Sequence, residues 1–330
     1  MLTEYGQDGQ GGQNGPSAAE AGVLGGTGAV RWLELIEPSQ DDIARASEMA
    51  GIDAKLIHDA LDLHERPRIE LDDEATLLVI RAPHLEDGNG HPHSQDRYST
   101  VPLGIILTRA CIVTVCKLRD DSLLALLRAS RGKPSGYRGE RCICNLSRSV
   151  ALLFLHYLKG ISAAIREVER DLSHSLDNED LMLLLNLQKS VTYFHAALKT
   201  NDILLDRVIR KGLTVGAHGR MNFTEEEEDM LDDAQTDTRQ GIYMSKIFTE
   251  VLGSIAGVYA SVISNNVNQI MRILTSLTVI LMIPTLITST YGMNIPLPLQ
   301  GHVSAFALVG LVSVGLTTAA IWFMKRKKIL

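Results

Sequence analysis

Beyond Glu250 the chain contains no aspartate or glutamate, although it holds 39 acidic residues among its 330. That stretch cannot build the carboxylate cage that a divalent cation stripped of its water normally demands. Cysteine is almost as scarce. The four present are Cys111, Cys116, Cys142 and Cys144. Cys142-Ile143-Cys144 has no second Cys or His pair at finger-like spacing, so these read as reduced, partly buried thiols. There is no glycine-rich phosphate loop, no nucleophile elbow and no paired His/Glu zinc motif, and nothing argues for an enzyme. No nucleic-acid partner is expected. Residues 1–28 hold nine glycines and no apolar core of signal-peptide length, and read as a disordered tail.

What the C-terminal part does have is two apolar runs. Ile273 to Tyr291 is 19 residues without a charge, and Val303 to Met324 is 22. Each is long enough to cross a ~30 Å hydrocarbon core as a helix. Residues 292–302 between them leave no room for an external domain and carry no Lys or Arg. The second run instead leads directly into Lys325-Arg326-Lys327-Lys328. The positive-inside rule then places the C-terminus in the cytoplasm, and two spans return the N-terminus there as well. The expectation is a multi-pass protein of the cell (inner) membrane, with the lipid bilayer as a partner.

The rest divides into blocks. Residues 29–140 read as a cytosolic α/β domain, with strands over Ala29–Ile36 and Ala75–Ala82, the latter bounded by Pro83. Val101–Leu107 and Cys111–Lys117 read as a hairpin, and Ser39–Met49 and Ala54–His64 as short helices, Ser39 being an N-cap. His64-Glu65-Arg66-Pro67-Arg68, taken alone, reads as a solvated turn. Residues 141–222 carry apolar residues at three- and four-residue spacing, giving two antiparallel helices, Leu146–Leu176 and Asn178–Lys211. Thr224 and Glu227 form a capping box, and the eight carboxylates from Glu225 to Asp237 offset a helix dipole. From residue 223 to 291 one helix of roughly 65 residues is predicted, about 100 Å at 1.5 Å per residue, a stalk that continues as the first span. Residues 292–302 are then the external loop, 303–324 the second span and 325–330 a basic cytosolic tail. The fold class is α+β, followed by a long helical stalk and two C-terminal transmembrane helices.

On the long helix Asn268, Met271, Thr275, Thr278, Met282, Thr285 and Ser289 recur at spacings of three and four, a heptad seam. Such a row serves either helix packing through small polar residues or a pore wall, and the polarity of the seam favours the pore. One stripe per chain encloses nothing, so a pore requires several copies around an axis. Without carboxylates it suits a hydrated ion, touched through its water shell by carbonyl and amide oxygens, Asn294 supplying one at the mouth.

Asn268 to Asn294, with Leu274-Thr275, Pro284 and the closing Tyr291-Gly292-Met293-Asn294, resembles the CorA family of magnesium transporters. Asp59-Ala60-Leu61-Asp62-Leu63-His64-Glu65-Arg66-Pro67-Arg68 looks like that family's cytosolic segment ending in His-x-Arg-Pro and a basic residue. The likeness covers about residues 30 to 330. It implies a funnel-shaped homopentamer and a selectivity filter at Gly292, Met293 and Asn294. Pore-facing positions would fall at Asn268, Met271, Leu274, Thr278, Met282, Thr285 and Ser289, with the constriction at Met271 and Leu274. The resemblance also implies a cytosolic metal sensor between subunits at Asp59 and Asp233, with Asp232 and Asp237 as nearby alternatives, and Lys325, Arg326, Lys327 and Lys328 could act at the inner mouth. No cofactor is implied; Mg2+ is transported ion and regulatory ligand. The sequence departs from the family in its external loop, which lacks the acid that many members carry. That leaves a Zn2+, Co2+ or Ni2+ transporter, proton-coupled or not, as the alternative, and a non-conducting metal sensor as a further one.

Overall fold

A computed structural model describes residues 2–5, 31–86, 97–109, 111–119, 122–123, 125, 127, 139–171, 178–214, 221–293 and 304–327. The chain divides into two compact units, Met1–Ser254 and Ile255–Leu330. The first contains a six-stranded sheet of β1 (Leu2–Tyr5), β2 (Arg31–Ile36), β3 (Arg68–Leu71), β4 (Thr76–Glu86), β5 (Arg97–Leu107) and β6 (Cys111–Cys116), ordered β1-β2-β6-β5-β4-β3. Only β2 and β6 pair in parallel among these strands. A parallel pair needs a crossover, and the connection here includes α1 (Gln40–Ala50) and α2 (Ala54–Ala60).

Those two helices cover one face. Ile43, Ala46, Leu56, Ile57 and Ala60 share a buried cluster with Leu33, Leu35, Leu77, Val79, Val113 and Val115. The neighbouring positions Leu78, Ile80, Leu103 and Ile105, which alternation points to the other face, are buried as well. There α3 (Gly139–Asp171) and α4 (Asn178–Lys211) pack on β4 and β5. A sheet covered on both faces has no polar face, which is why its central strands carry apolar runs such as Leu77–Ile80 and Leu103–Leu107.

Ser39 caps α1 through a capping box with Asp42, and Thr108 closes the β5–β6 hairpin, its hydroxyl accepting from the Cys111 N–H at 2.9 Å. Several expected boundaries move. Leu2–Tyr5 is not tail but a strand on the edge of β2. The second helix ends at Ala60 rather than His64, and α3 begins at Gly139 rather than Leu146. The strand expected to stop at Pro83 runs on to Glu86. Its register explains why. Next to Pro83, β3 has already ended, and the Arg81 N–H, on the same side, donates to the Asn201 side chain at 3.0 Å instead of to a strand. The missing proline N–H therefore falls on a free edge.

The long helix is present as α5 (Glu225–Tyr291), 67 residues with Pro284 inside it. Its capping box is formed: Thr224 N–H donates to Glu227 Oε2 at 2.9 Å, and Glu227 N–H to Thr224 Oγ1 at 3.3 Å. In the first unit α5 buries Leu231, Ala234, Thr238, Ser245 and Leu252, a stripe at helical spacing. In the second unit it is joined by α6 (Ala305–Arg326). Among the described residues, three helices are long and apolar enough to cross a membrane. In α3 half of the apolar window is buried, against 6% in α5 and in α6, so the apolar side of α3 serves a protein core.

Candidate functional site

Asn268, Met271, Leu274, Thr275, Thr278, Met282, Thr285 and Ser289 are all exposed along α5. The threonines bond to their own helix: Thr275 Oγ1 donates to Met271 O at 2.7 Å, Thr278 to Leu274 O at 2.8 Å and Thr285 to Leu281 O at 2.8 Å. With the proton held there, each hydroxyl turns acceptor lone pairs outward. Pro284, Thr288 and Tyr291 instead line a cavity of about 730 Å³ shared with Phe306, Gly310 and Thr317 of α6. At roughly 100° per residue this α6-facing side lies on the order of 140° from the seam. Within one chain the seam is therefore turned away from α6.

At its upper end α5 closes with Gly292 N–H donating to Thr288 O at 2.9 Å and Met293 N–H to Thr290 O at 3.3 Å. A Cβ on Gly292 would stand 3.4 Å from Thr288 O and 3.5 Å from Ser289 O, so glycine leaves those carbonyls uncovered. Asn294 and Lys328 lie outside the described residues. Lys325 and Arg326 end α6 and Lys327 caps it; the Arg326 guanidinium stands 5.5 Å from the Trp322 ring and the Lys327 amine 5.7 Å from Phe323.

In the first unit, Asp59 sits on α2 beside Arg68, the first residue of β3. Arg68 reaches Glu70 at 2.6 Å, Glu65 at 3.1 Å and Asp59 at 3.4 Å. Asp233 faces Arg148 of α3 at 3.8 Å and is 64% exposed. Both candidates are partly exposed hard-oxygen donors, the class that Mg2+ takes, and the donor chemistry fits. One chain does not complete a site: among the described residues no three His, Cys, Asp or Glu are grouped to hold a metal.

The segment from His64 to Arg68 is the turn expected, with His64 and Arg66 exposed and Glu65, Pro67 and Arg68 half-buried, but its backbone is also held from within. Arg81 pins it, donating to Leu63 O at 3.1 Å and Glu65 O at 3.0 Å while also bonding Thr100 Oγ1 and Thr100 O. Burial draws the Arg81 guanidinium below its usual value, and these acceptors offset that desolvation. Burial likewise pushes the Cys144 thiol up to about 12, the Glu227 carboxylate adding to it, and raises Cys142. Such thiols are protonated and buried in the helical packing, with Cys144 Sγ donating to Glu227 O at 3.4 Å.

Residues 27–326 match the family described as CorA-like Mg2+ transporter protein. The chain belongs to this family. Among CorA relatives, the cobalt/magnesium transport protein CorA of Methanocaldococcus jannaschii is 28% identical over 89% of this chain and 90% of its own length. That of Thermotoga maritima is 22% identical over 90% of this chain and 82% of its own. The complete structure of the CorA magnesium transporter from Methanocaldococcus jannaschii superposes with a TM-score of 0.78 at 26% identity, covering 99% of this chain and 98% of that one. The soluble α+β unit and the long helices of this CorA-family chain thus follow that fold.

Sequence reasoning named Arg68 only as the basic end of the His64–Arg68 segment, and missed Arg81, Arg148 and Asn201. Arg81, Arg148 and Asn201 act through partners far along the chain, Asn201 by accepting from Arg81 N–H at 3.0 Å and donating to Arg81 O at 2.8 Å. The pairing of Arg68 with carboxylates fore and aft was the one available signal, since Glu65 precedes it by three and Glu70 follows it by two.

Proposed function

We propose that this protein is a channel-like transporter of hydrated divalent cations, Mg2+ first among them, working inward down the membrane potential. That potential contributes about 4.6 kcal/mol per 100 mV for two charges. The single observation that carries the reading is the exposed seam from Asn268 to Ser289. It lies on an unbroken helix, turned away from α6, with its threonines presenting acceptors and no acid after Glu250. Waters around a cation point their hydrogens outward, so an acceptor wall suits the hydrated ion. Five copies around an axis would enclose the pore, with Met271 and Leu274 at its constriction and Gly292, Met293 and Asn294 at its mouth. Metal bound between neighbouring subunits at Asp59 and Asp233 would hold the ring closed, because the ion binds that state better. When cytosolic Mg2+ falls, carboxylate repulsion loosens the ring.

The test is uptake into liposomes holding the purified protein, each of Mg2+, Co2+, Ni2+ and Zn2+ being offered with and without a pH gradient. Mg2+ entry without a gradient is the expected result, and Asn294→Ala abolishes it with assembly intact. Uptake of no ion by the wild type overturns transport, and full uptake by Asn294→Ala overturns the filter.

A further inference from the structure

Both carboxylates read as the sensor already face an arginine of their own chain. Arg68 begins β3, where pairing of Arg68 with Val79 fixes its backbone. Asp59 is fixed by α2, whose Ala60 packs directly on Gly104 of β5. Two rigid elements thus set the separation of the pair. Three carboxylates share the single positive charge: Glu70 at 2.6 Å, Glu65 at 3.1 Å and Asp59 at 3.4 Å. The group carries a net charge of about −2, and Asp59 has the loosest share of the guanidinium. Asp233 stands in a still looser pair, 3.8 Å from Arg148 with side chains 64% and 46% exposed. An exposed pair such as Asp233–Arg148 is weak, and the partly buried Asp59–Arg68 pair is stretched to 3.4 Å, so either carboxylate can turn to a metal.

We propose that Arg68 and Arg148 compete within the chain for the two sensor carboxylates and so set the divalent-cation concentration at which neighbouring subunits lock together. Glu65 and Glu70 have a matching role: by occupying Arg68 they keep Asp59 available. The inference rests on reading Asp59 and Asp233 as the sensor. Its sign follows from charge. Removing an arginine leaves its carboxylate unopposed and attracts Mg2+ more strongly. Removing Glu70 frees Arg68 to hold Asp59 and weakens Mg2+ binding.

The readout is the Mg2+ concentration that half-protects the full-length protein in detergent from protease, scored on cleavage in the stalk. Arg68→Gln and Arg148→Gln should each lower that midpoint about five-fold, and Glu70→Gln should raise it about two- to three-fold, for one charge near a divalent ion in a largely aqueous setting. Arg68→Lys, which keeps the charge, should stay within about two-fold of wild type. A midpoint that is unmoved or raised in both glutamine-for-arginine variants, while Asp59→Asn abolishes protection, overturns the competition and leaves the sensor reading standing. Protection that persists unchanged in Asp59→Asn overturns the sensor reading itself, and the proposal with it. Should Arg68→Gln fail to fold, Glu70→Gln and Arg148→Gln still decide, since the competition demands opposite shifts from them.

Discussion

A threonine hydroxyl has one proton to give, and in an apolar helix the carbonyl four residues back is the nearest acceptor. At Thr278 that bond is 2.8 Å long, leaving an oxygen whose lone pairs face away from the helix. Valine has nearly the shape of threonine but no lone pair; serine keeps the hydroxyl and loses a methyl. Thr278→Val is therefore expected to slow Mg2+ uptake about five-fold, near 1 kcal/mol for one hydrogen bond to a passing water shell. Thr278→Ser should keep most of the rate. Initial uptake rates in liposomes, normalised to assembled protein, check the pair. Equal rates in the valine variant and wild type would remove Thr278 from the ion path.

Among the elements, α2 is the one whose placement bears most directly on the proposed sensor, and it lies unusually close to the sheet. A Cβ on Gly104 would overlap the Ala60 Cβ, so Gly104→Ala must push α2, and Asp59 with it, off β5. Overpacking of this kind costs about 1–3 kcal/mol. A lowered thermal midpoint, together with weaker Mg2+ protection of the stalk, is the expected outcome; an unchanged midpoint would mean that the close approach is relaxed at no cost. The glycine itself gave no hint of this in the sequence, because the contact depends on a crossover that brings α2 over β5. What was legible is local. The N-cap at Ser39, the capping box at Thr224, the Thr108 hairpin, the long α5 and the seam each follow from residues within a few positions of one another. What was not legible depends on register. Leu2–Tyr5 becomes a strand because β2 offers it an edge, and Pro83 stays in a strand because β3 ends short of it. Arg68 meets Asp59 for the same reason: the turn held by Arg81 brings β3 back beside α2.

For the molecule as a whole, the burial of the two apolar helices is the governing quantity. Both α5 and α6 bury 6% of their most apolar window within one chain, against 50% for α3. Lipid can cover the aliphatic positions, but the seam from Asn268 to Ser289 would then set amide and hydroxyl groups against hydrocarbon, which is unfavourable. Copies of the same chain relieve this. Arranged about an axis, each seam faces a shared aqueous lumen, while α6, on roughly the opposite side of α5, faces lipid. Closed rotational symmetry satisfies every copy alike, and five is the number of copies proposed. Native mass spectrometry in mild detergent is thus expected to give a five-chain species. The five acid-free seams would then be paired with five copies of Lys325, Arg326 and Lys327 at the C-terminal end of α6, a positive ring that salt screens. A monomer or dimer that still conducts Mg2+ in liposomes at matched protein density would contradict the shared lumen, because a single seam has nothing to face but lipid.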